Sequence, residues 1–497
     1  MKIFEIVAGY KLSTILKILL VAILIYSPIF GHLSRLPIRI WDESRLAINA
    51  YEMYRDGGCL VTTYEGKPDH WNTKPPLLIW LQVLAMKALG VGELAVRLPS
   101  AFAAFFTVML LLSFGIRYLQ NFWYGFVAML VLITTHGYIN IHCTRTGDYD
   151  ALLVLFTTCS SICLFLYLDR PKRKYIYFFA ISSSLAVLTK SVAGLLFFPA
   201  YLIFILIEGK LISLLKNKDI YFAFLIFISP IFIYYLSREW IDPGYLNAVW
   251  ENELGGRYLQ TIENHKHPFW YYYSNFVQFQ SPFWIYLVPC GWAIGLFARD
   301  VRLKKLSIYL IILLLTYFLI ISVSGTKLEW YDAPTFPFMA LSVSIFISLV
   351  FDALKKARFS ENFDRNPIPY IFLFLIFAWP YKKIVEKTYL PVEYPWDVEF
   401  YELGYYLQKV SRGQLNSSAR YLAFDGYNAH NLFYLYMIRD HDNAIDFVDW
   451  TKLQAENVVI AYQPHIIQYI YEHYMVEVLD TKGKVQTFKI NERLPGK

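Results

Sequence analysis

Long apolar runs recur throughout this 497-residue chain, and they restrict its fold more than any other feature. A helix needs about 20 mostly apolar residues to cross a bilayer. The bilayer core holds no water to satisfy open backbone, so only helices or closed barrels span it. Runs of candidate length cover residues 12–33, 98–119, 122–139, 151–168, 174–191, 193–208, 219–236, 282–298, 306–323, 333–351 and 367–383. The chain is therefore expected to be a polytopic α-helical membrane protein with about eleven or more spans. No clear small-residue cleavage site follows the apolar stretch Ile15 to Phe30, which reads as a retained span and not a removed signal peptide.

Charge orients these spans. Basic residues collect in four short connections: Arg170, Lys172, Arg173 and Lys174; Lys210, Lys216 and Lys218; Arg299, Arg302, Lys304 and Lys305; and Lys355, Lys356, Arg358 and Arg365. Counted from an inside N-terminus, all four fall on one side, and an excess of Lys and Arg marks the cytoplasmic face. The net charge of +7 thus follows topology. No basic stripe with interleaved aromatics stands outside the apolar part, which argues against nucleic-acid binding. The forty Tyr and thirteen Trp suit the water–lipid boundary.

The opposite face receives loops 34–97, 140–150 and 237–281 and the tail. Residues 1–383 read as a membrane-spanning domain. Residues 384–497, with a linker marked by Pro391 and Pro395, read as a small extracytoplasmic α/β domain. Spacing predicts helices over 396–412 and 464–474, strands over 419–425 and 456–462, and a hairpin turn at Lys482-Gly483. The five Cys have no zinc-site spacing, and an odd number makes no disulfide framework. Cys59 and Cys143 both fall on the outer face, which leaves a bridge between them open.

Chemistry-bearing residues concentrate on that face. The first loop opens with Trp41-Asp42-Glu43-Ser44-Arg45. Its carboxylates either cap a helix start, where the dipole favours negative charge, or supply a general base at Asp42. Lys74, followed by two prolines, is held in an extended turn. It is either a snorkelling side chain or a fixed cation for a phosphate. Arg145 with Asp148 and Asp150 enters a span, where charges are costly unless paired or functional; an ion pair and a divalent-cation site both fit. Lys190 and Lys327 lie at the outer ends of spans, with Tyr331 and Pro334 following the second. The loop 237–281 adds Arg257 and the pair His265 and His267, which are either ordinary loop residues or metal ligands. A cluster of acids and bases at one lipid boundary fits a cleft for an anionic lipid donor.

On these residues the sequence resembles the GT-C membrane glycosyltransferases, in the branch of the aminoarabinose transferases of lipid A and the dolichyl-phosphate-mannose protein mannosyltransferases. The markers are Asp42-Glu43-x-Arg45, Lys74-Pro75-Pro76-Leu77, Arg97-Leu98-Pro99-Ser100, the loop Arg145 to Asp150, Thr189-Lys190 and a late Lys327…Tyr331…Pro334…Pro337. They cover about residues 35–340, most specifically 41–100. The resemblance implies inverting transfer of a sugar from a polyprenyl-phosphate carrier to a glycan, lipid or protein acceptor. Asp42 would be the base and Arg45 would steer or pair with it. Lys74 would hold the carrier phosphate, where charge develops. Asp148 or Asp150 would be the second-loop acid. Glu43, Arg145, Lys190, Arg257, Lys327 and Tyr331 join the expected substrate-binding set, and a divalent metal stays open. Thr73 stands where some relatives carry an acid near a bound metal, and Glu329-Trp330 and Asp332 replace more apolar residues. An integral protein of a bacterial inner membrane is implied, its site and tail facing the periplasm.

Two other classes share some of these features. A transporter or flippase of lipid-linked sugar would favour charges near the midplane and related halves, and no internal repeat is visible. A receptor or scaffold leaves the Asp42 and Lys74 clusters without a role.

Overall fold

The computed structural model describes residues 12–255, 266–357, 366–440 and 444–495. Seven helices among them are long and apolar enough to cross a membrane, and five shorter apolar helices stand beside them. The long ones include α4 (Glu93–Arg117), α6 (Asp150–Asp169), α7 (Arg173–Lys190, continued by a 3-10 turn to Leu195), α9 (Lys218–Ile241), α11 (Val301–Val323), α12 (Phe336–Lys356) and α13 (Ile368–Tyr389). The shorter are α1 (Leu12–Phe30), α3 (Leu77–Leu89), α5 (Phe122–Ile133), α8 (Phe198–Ile207) and α10 (Leu287–Leu296). This is an integral membrane protein.

Three spans are shorter than the sequence suggested. Residues 134–139, read as the end of a span, form turns beyond α5, and the runs 193–208 and 282–298 yield helices of ten residues each. The apolar helix α3 lies inside what was read as the outer loop 34–97. A thirteen-residue helix is too short to fill a 20-residue window, which is why periodicity and length missed it. Short helices are tolerated at membrane depth when protein, not lipid, covers their ends. Close packing helps: a Cβ on Gly115 of α4 would stand 2.2 Å from the Gly125 backbone nitrogen of α5, so only glycine lets these helices meet.

The basic connections gather at one end of the bundle. There Lys305 pairs with Asp169 and Glu208, Arg173 with Asp219, and Arg302 donates to the Tyr118 carbonyl. The opposite end carries α2 (Asp42–Asp56), the short hairpin β1 (Thr63–Tyr64) and β2 (Lys67–Pro68), and the C-terminal domain. Cys59 is exposed and Cys143 buried, both as free thiols, so the bridge left open by the sequence does not form.

The C-terminal domain comprises α14 (Val398–Ser411), β3 (Tyr421–Ala423), α15 (Ala429–Arg439), β4 (Asp446–Val448), β5 (Val458–Ala461), α16 (Pro464–His473), β6 (Tyr474–Lys482) and β7 (Val485–Arg493). Its sheet runs β4-β3-β5-β7-β6, with β4, β3 and β5 parallel. The hairpin expected at Lys482-Gly483 joins β6 to β7, pairing Lys482 with Val485. Leu403, Leu407, Phe433 and Tyr434 turn one face of the domain into the core shared with the bundle, whereas Ile466 and Ile470 pack with Val459 and Phe488 on the other. Polar links fix the domain to the outer loops. The Ile38 N–H donates to the Tyr434 hydroxyl, which donates to Glu93, and Arg39 pairs with Asp397.

Candidate active site

One helix start assembles the centre of the end of the bundle that carries α2 and the C-terminal domain. Arg97, fully buried in α4, donates to both carboxylate oxygens of Glu43 and to the carbonyls of Leu33, Leu36 and Pro37. Glu43 also accepts from the backbone N–H groups of Arg39 and Gly147. Three residues on, the Ser100 hydroxyl donates to the Asp148 carbonyl. The Arg97…Ser100 motif thus ties the first and second outer loops together. Gly147 permits the contact, because a Cβ there would lie 2.5 Å from the Val96 side chain.

The effect is to bring Asp42, His142 and Asp148 together, with one ligand atom from each within 4.8 Å of the others. His142 Nδ1 lies 3.8 Å from both carboxylates. Its ring stacks on Trp330 at 3.4 Å, and its main chain is held at φ +63° by a hydrogen bond from its N–H to Thr146, which in turn donates to Asp148. Burial pushes the His142 imidazolium down to about 3. Burial, with Asp42 and Glu43 nearby, raises the Asp148 carboxyl well above the usual range. Two carboxylates and a neutral imidazole are a donor set that fits a divalent cation. The expected histidine pair is separate from this set: His265 lies outside the described residues, and His267 stacks on Tyr271 at 4.1 Å.

A second cluster lies beside the first, at the ends of α6 and α7. Lys190 Nζ is 2.6 Å from Asp150 Oδ1, and Lys74 Nζ is 3.3 Å from Glu253 Oε1. All four line a narrow cavity with Tyr331, Ser324 and Thr326. Asp42 lies within electrostatic reach of both Asp150 and Lys190, so the two clusters share one field. Lys74 is fixed as the Lys-Pro-Pro pattern implies. Asp69 accepts from the N–H groups of Trp71 and Asn72, and the Tyr245 hydroxyl donates to the Thr73 carbonyl. Lys327 Nζ donates to the Ser324 carbonyl at 2.7 Å, on the rim of this cavity.

Other expected substrate-binding residues are engaged by partners within the protein. Arg45 pairs with Asp69 at 2.7 Å and not with Asp42, and lies over the rings of Tyr64 and Trp71. Burial raises the Asp69 carboxyl, but the Arg45 guanidinium, Asn49 and the Asn72 N–H together hold it below the usual range. Glu43 is consumed by Arg97. Arg145 pairs with neither Asp148 nor Asp150; its guanidinium donates to the carbonyls of Ile29 and Gly31, beside a cavity of about 470 Å³ that Arg39, Asn140 and Lys387 also line. Arg257 lies outside the described residues. Sequence reasoning missed His142 and Glu253. His142 stood in a loop already singled out, but Glu253, 180 positions from Thr73, gave no local signal.

Comparison with known proteins fits this geometry. The family model for dolichyl-phosphate-mannose-protein mannosyltransferase matches residues 73–235. An uncharacterised protein of Aquifex aeolicus (strain VF5) is 28% identical over 69% of this chain and 66% of its own length. The undecaprenyl phosphate-alpha-4-amino-4-deoxy-L-arabinose arabinosyl transferase of Aeromonas salmonicida (strain A449) is 24% identical over 66% of this chain and 58% of its own. The chain thus spans less than two thirds of the length of these curated relatives. The crystal structure of ArnT from Cupriavidus metallidurans bound to undecaprenyl phosphate superposes with a TM-score of 0.65 at 14% identity, covering 96% of this chain and 97% of that one. Likeness of that extent at so low an identity concerns architecture alone, and by architecture this chain has the GT-C fold of the membrane glycosyltransferases.

Proposed function

We propose that the protein is an inverting glycosyltransferase that moves a sugar from a polyprenyl-phosphate carrier to an acceptor on the outer face of a bacterial inner membrane. The observation that carries this is the pairing of an open carboxylate, Asp42, with a two-lysine pocket sharing its field at the lipid boundary. The acceptor's oxygen attacks the anomeric carbon while Asp42 takes its proton. The bond from that carbon to the phosphate oxygen breaks, and its electron pair leaves with the carrier. Lys74 and Lys190 stabilise the charge that grows on the departing phosphate. A divalent cation held by Asp42, His142 and Asp148 would supply positive charge near the acceptor oxygen. The charged groups sit at one end of the bundle, not at its midplane, which disfavours a carrier of lipid-linked sugar.

The test is transfer by the purified, reconstituted protein from undecaprenyl-phosphate donors bearing aminoarabinose or mannose. Wild type is expected to turn over at least one donor, and Asp42→Asn to lose about 10²–10⁴-fold in turnover while still binding it. Full activity in Asp42→Asn refutes the base, and no turnover of any carrier-linked sugar refutes the reading.

A further inference from the structure

Trp41, immediately before Asp42, has φ +74° and ψ −121°, a region that residues with a Cβ avoid. Three donors hold its carbonyl there: the Ser44 hydroxyl at 2.8 Å, the Arg45 N–H at 3.1 Å and the Tyr427 hydroxyl at 3.3 Å. Such strain persists only where the surroundings over-determine it, and it clusters at functional sites. Here the indole is left 57% exposed while lying flat against Tyr427, with centroids 4.8 Å and planes 16° apart.

Tyr427 belongs to the C-terminal domain, and its position there is a separate observation. In open α/β sheets, ligands bind beyond the carboxyl ends of parallel strands where strand order reverses. The chain leaves β3 through α15 to β4 on one side, then returns to β5 on the other, so the reversal falls at the carboxyl end of β3. Tyr427 stands in the segment 424–428 that leaves this end. Beside it, Gln463 exchanges two hydrogen bonds with the Asp425 main chain, leaving the Asp425 carboxylate open to solvent within 3.4 Å of His465. The carboxyl end of β3, the position where such sheets take ligands, is thus turned toward the residue that precedes Asp42.

We propose that Trp41 and Tyr427, with Asp425, form a saccharide subsite that seats a pyranose ring of the acceptor next to Asp42. An aromatic platform meets the C–H face of a pyranose at little conformational cost, and a carboxylate accepts from its hydroxyls. Anchoring in lipid headgroups, the usual task of such rings, explains neither the strained backbone nor the stacking with a residue of the C-terminal domain. The inference rests on the transferase reading and deepens it by making the acceptor a sugar-bearing molecule.

The test uses the full chain in nanodiscs free of sugar detergents, with maltotriose and chitotriose as probes read by saturation-transfer NMR. Wild type is expected to saturate ring C–H protons. The signal should fall about fivefold or more in Trp41→Ala and Tyr427→Ala, as loss of an aromatic contact predicts, and persist in Tyr427→Phe, which keeps the stack. No transfer to wild type, or equal transfer to Trp41→Ala, overturns the subsite. Release of donor sugar into water, measured in the same nanodiscs, separates the two readings. Probe binding without donor turnover removes the transferase and leaves the saccharide site; turnover without probe binding does the reverse. Lipid-phase and water-phase envelope extracts offered as acceptors distinguish glycolipid from free glycan, and label entering only protein overturns the proposal.

Discussion

Replacing Arg97 with methionine keeps the unbranched stem of the side chain and removes its guanidinium. Five hydrogen bonds go with it, two to Glu43 and three to the carbonyls of Leu33, Leu36 and Pro37. Glu43 is left buried with only two backbone N–H partners. Breaking one side of a buried ion pair costs about 3–5 kcal/mol. The freed carbonyls add little, because the adjoining cavity of about 470 Å³ can bring water to them. At about 2 °C per kcal/mol for larger domains, the melting temperature should fall by about 6–10 °C. Glu43→Gln in the same background removes the stranded charge and should recover part of that loss. Turnover should fall further than stability alone explains, since a 1 Å misplacement of reacting groups costs about 10²-fold and Arg97 positions the loops of both Asp42 and Asp148. Donor KM should not change, because Lys74 and Lys190 line the neighbouring cavity, and Arg97 is not among its lining residues. Steady-state kinetics and thermal unfolding on the reconstituted protein check both parts. Wild-type melting, or a donor KM that rises in step with the loss of turnover, refutes the reasoning.

Three further outcomes follow from the same geometry. The Asp148 carboxyl is raised in the folded state by burial and by Asp42 and Glu43, so its stabilising contribution is complete below the ordinary carboxylate range and lost as pH climbs through the raised value; in chelator, Asp148→Asn should melt higher than wild type at about pH 8 and the same at about pH 3, and the opposite order contradicts a neutral buried acid. Lys190→Met should raise donor KM about tenfold or more, the worth of one charge-assisted hydrogen bond, with acceptor KM unchanged; an unaltered donor KM removes Lys190 from the donor pocket. A membrane-impermeant maleimide applied to spheroplasts should label exposed Cys59 and spare buried Cys143, whereas protection of Cys59 until the membrane is opened would place loop 34–97 on the cytoplasmic side.

The bundle was legible because hydrophobic length and basic loops are local properties, and each survives reading one segment at a time. The helix at 77–89 was missed, and those at 198–207 and 287–296 were read too long, for the same reason, since whether a short apolar helix stands at membrane depth depends on neighbours that cover its ends. The site divides likewise. Asp148 and Lys190 were singled out as ionisable residues at span ends, Lys74 by the two prolines that fix it, and Asp42 by the adjacent carboxylates that open the first outer loop. Glu43, Arg45 and Arg145 carried the same local signal, but the sequence could not show that they engage Arg97, Asp69 and the carbonyls at the end of α1. His142 and Glu253 acquire their meaning from Asp42 and Lys74, residues far along the chain.

The two lysine–carboxylate pairs pose a question about the donor. Lys74 and Lys190 are each matched by a carboxylate, Glu253 and Asp150, which is poor preparation for an anion if tight binding is the aim. Tight ground-state binding does not accelerate the chemistry, however; only interactions that strengthen toward the transition state do. A carrier phosphodiester arrives with one negative charge and leaves as a phosphate with nearly two, as second pKa values near 6 imply. Carboxylates that hold the lysines in place preorganise them for the second charge and moderate their grip on the product. Asp150→Asn should therefore bind donor more tightly, lower donor KM and slow the steady state, because the released carrier phosphate leaves late. Pre-steady-state kinetics should show a burst of transferred sugar close to one per enzyme, followed by a slow phase relieved by a phosphatase that consumes the free carrier. A variant with weaker donor binding and no burst would mean that Asp150 positions Lys190 and does nothing to limit product retention.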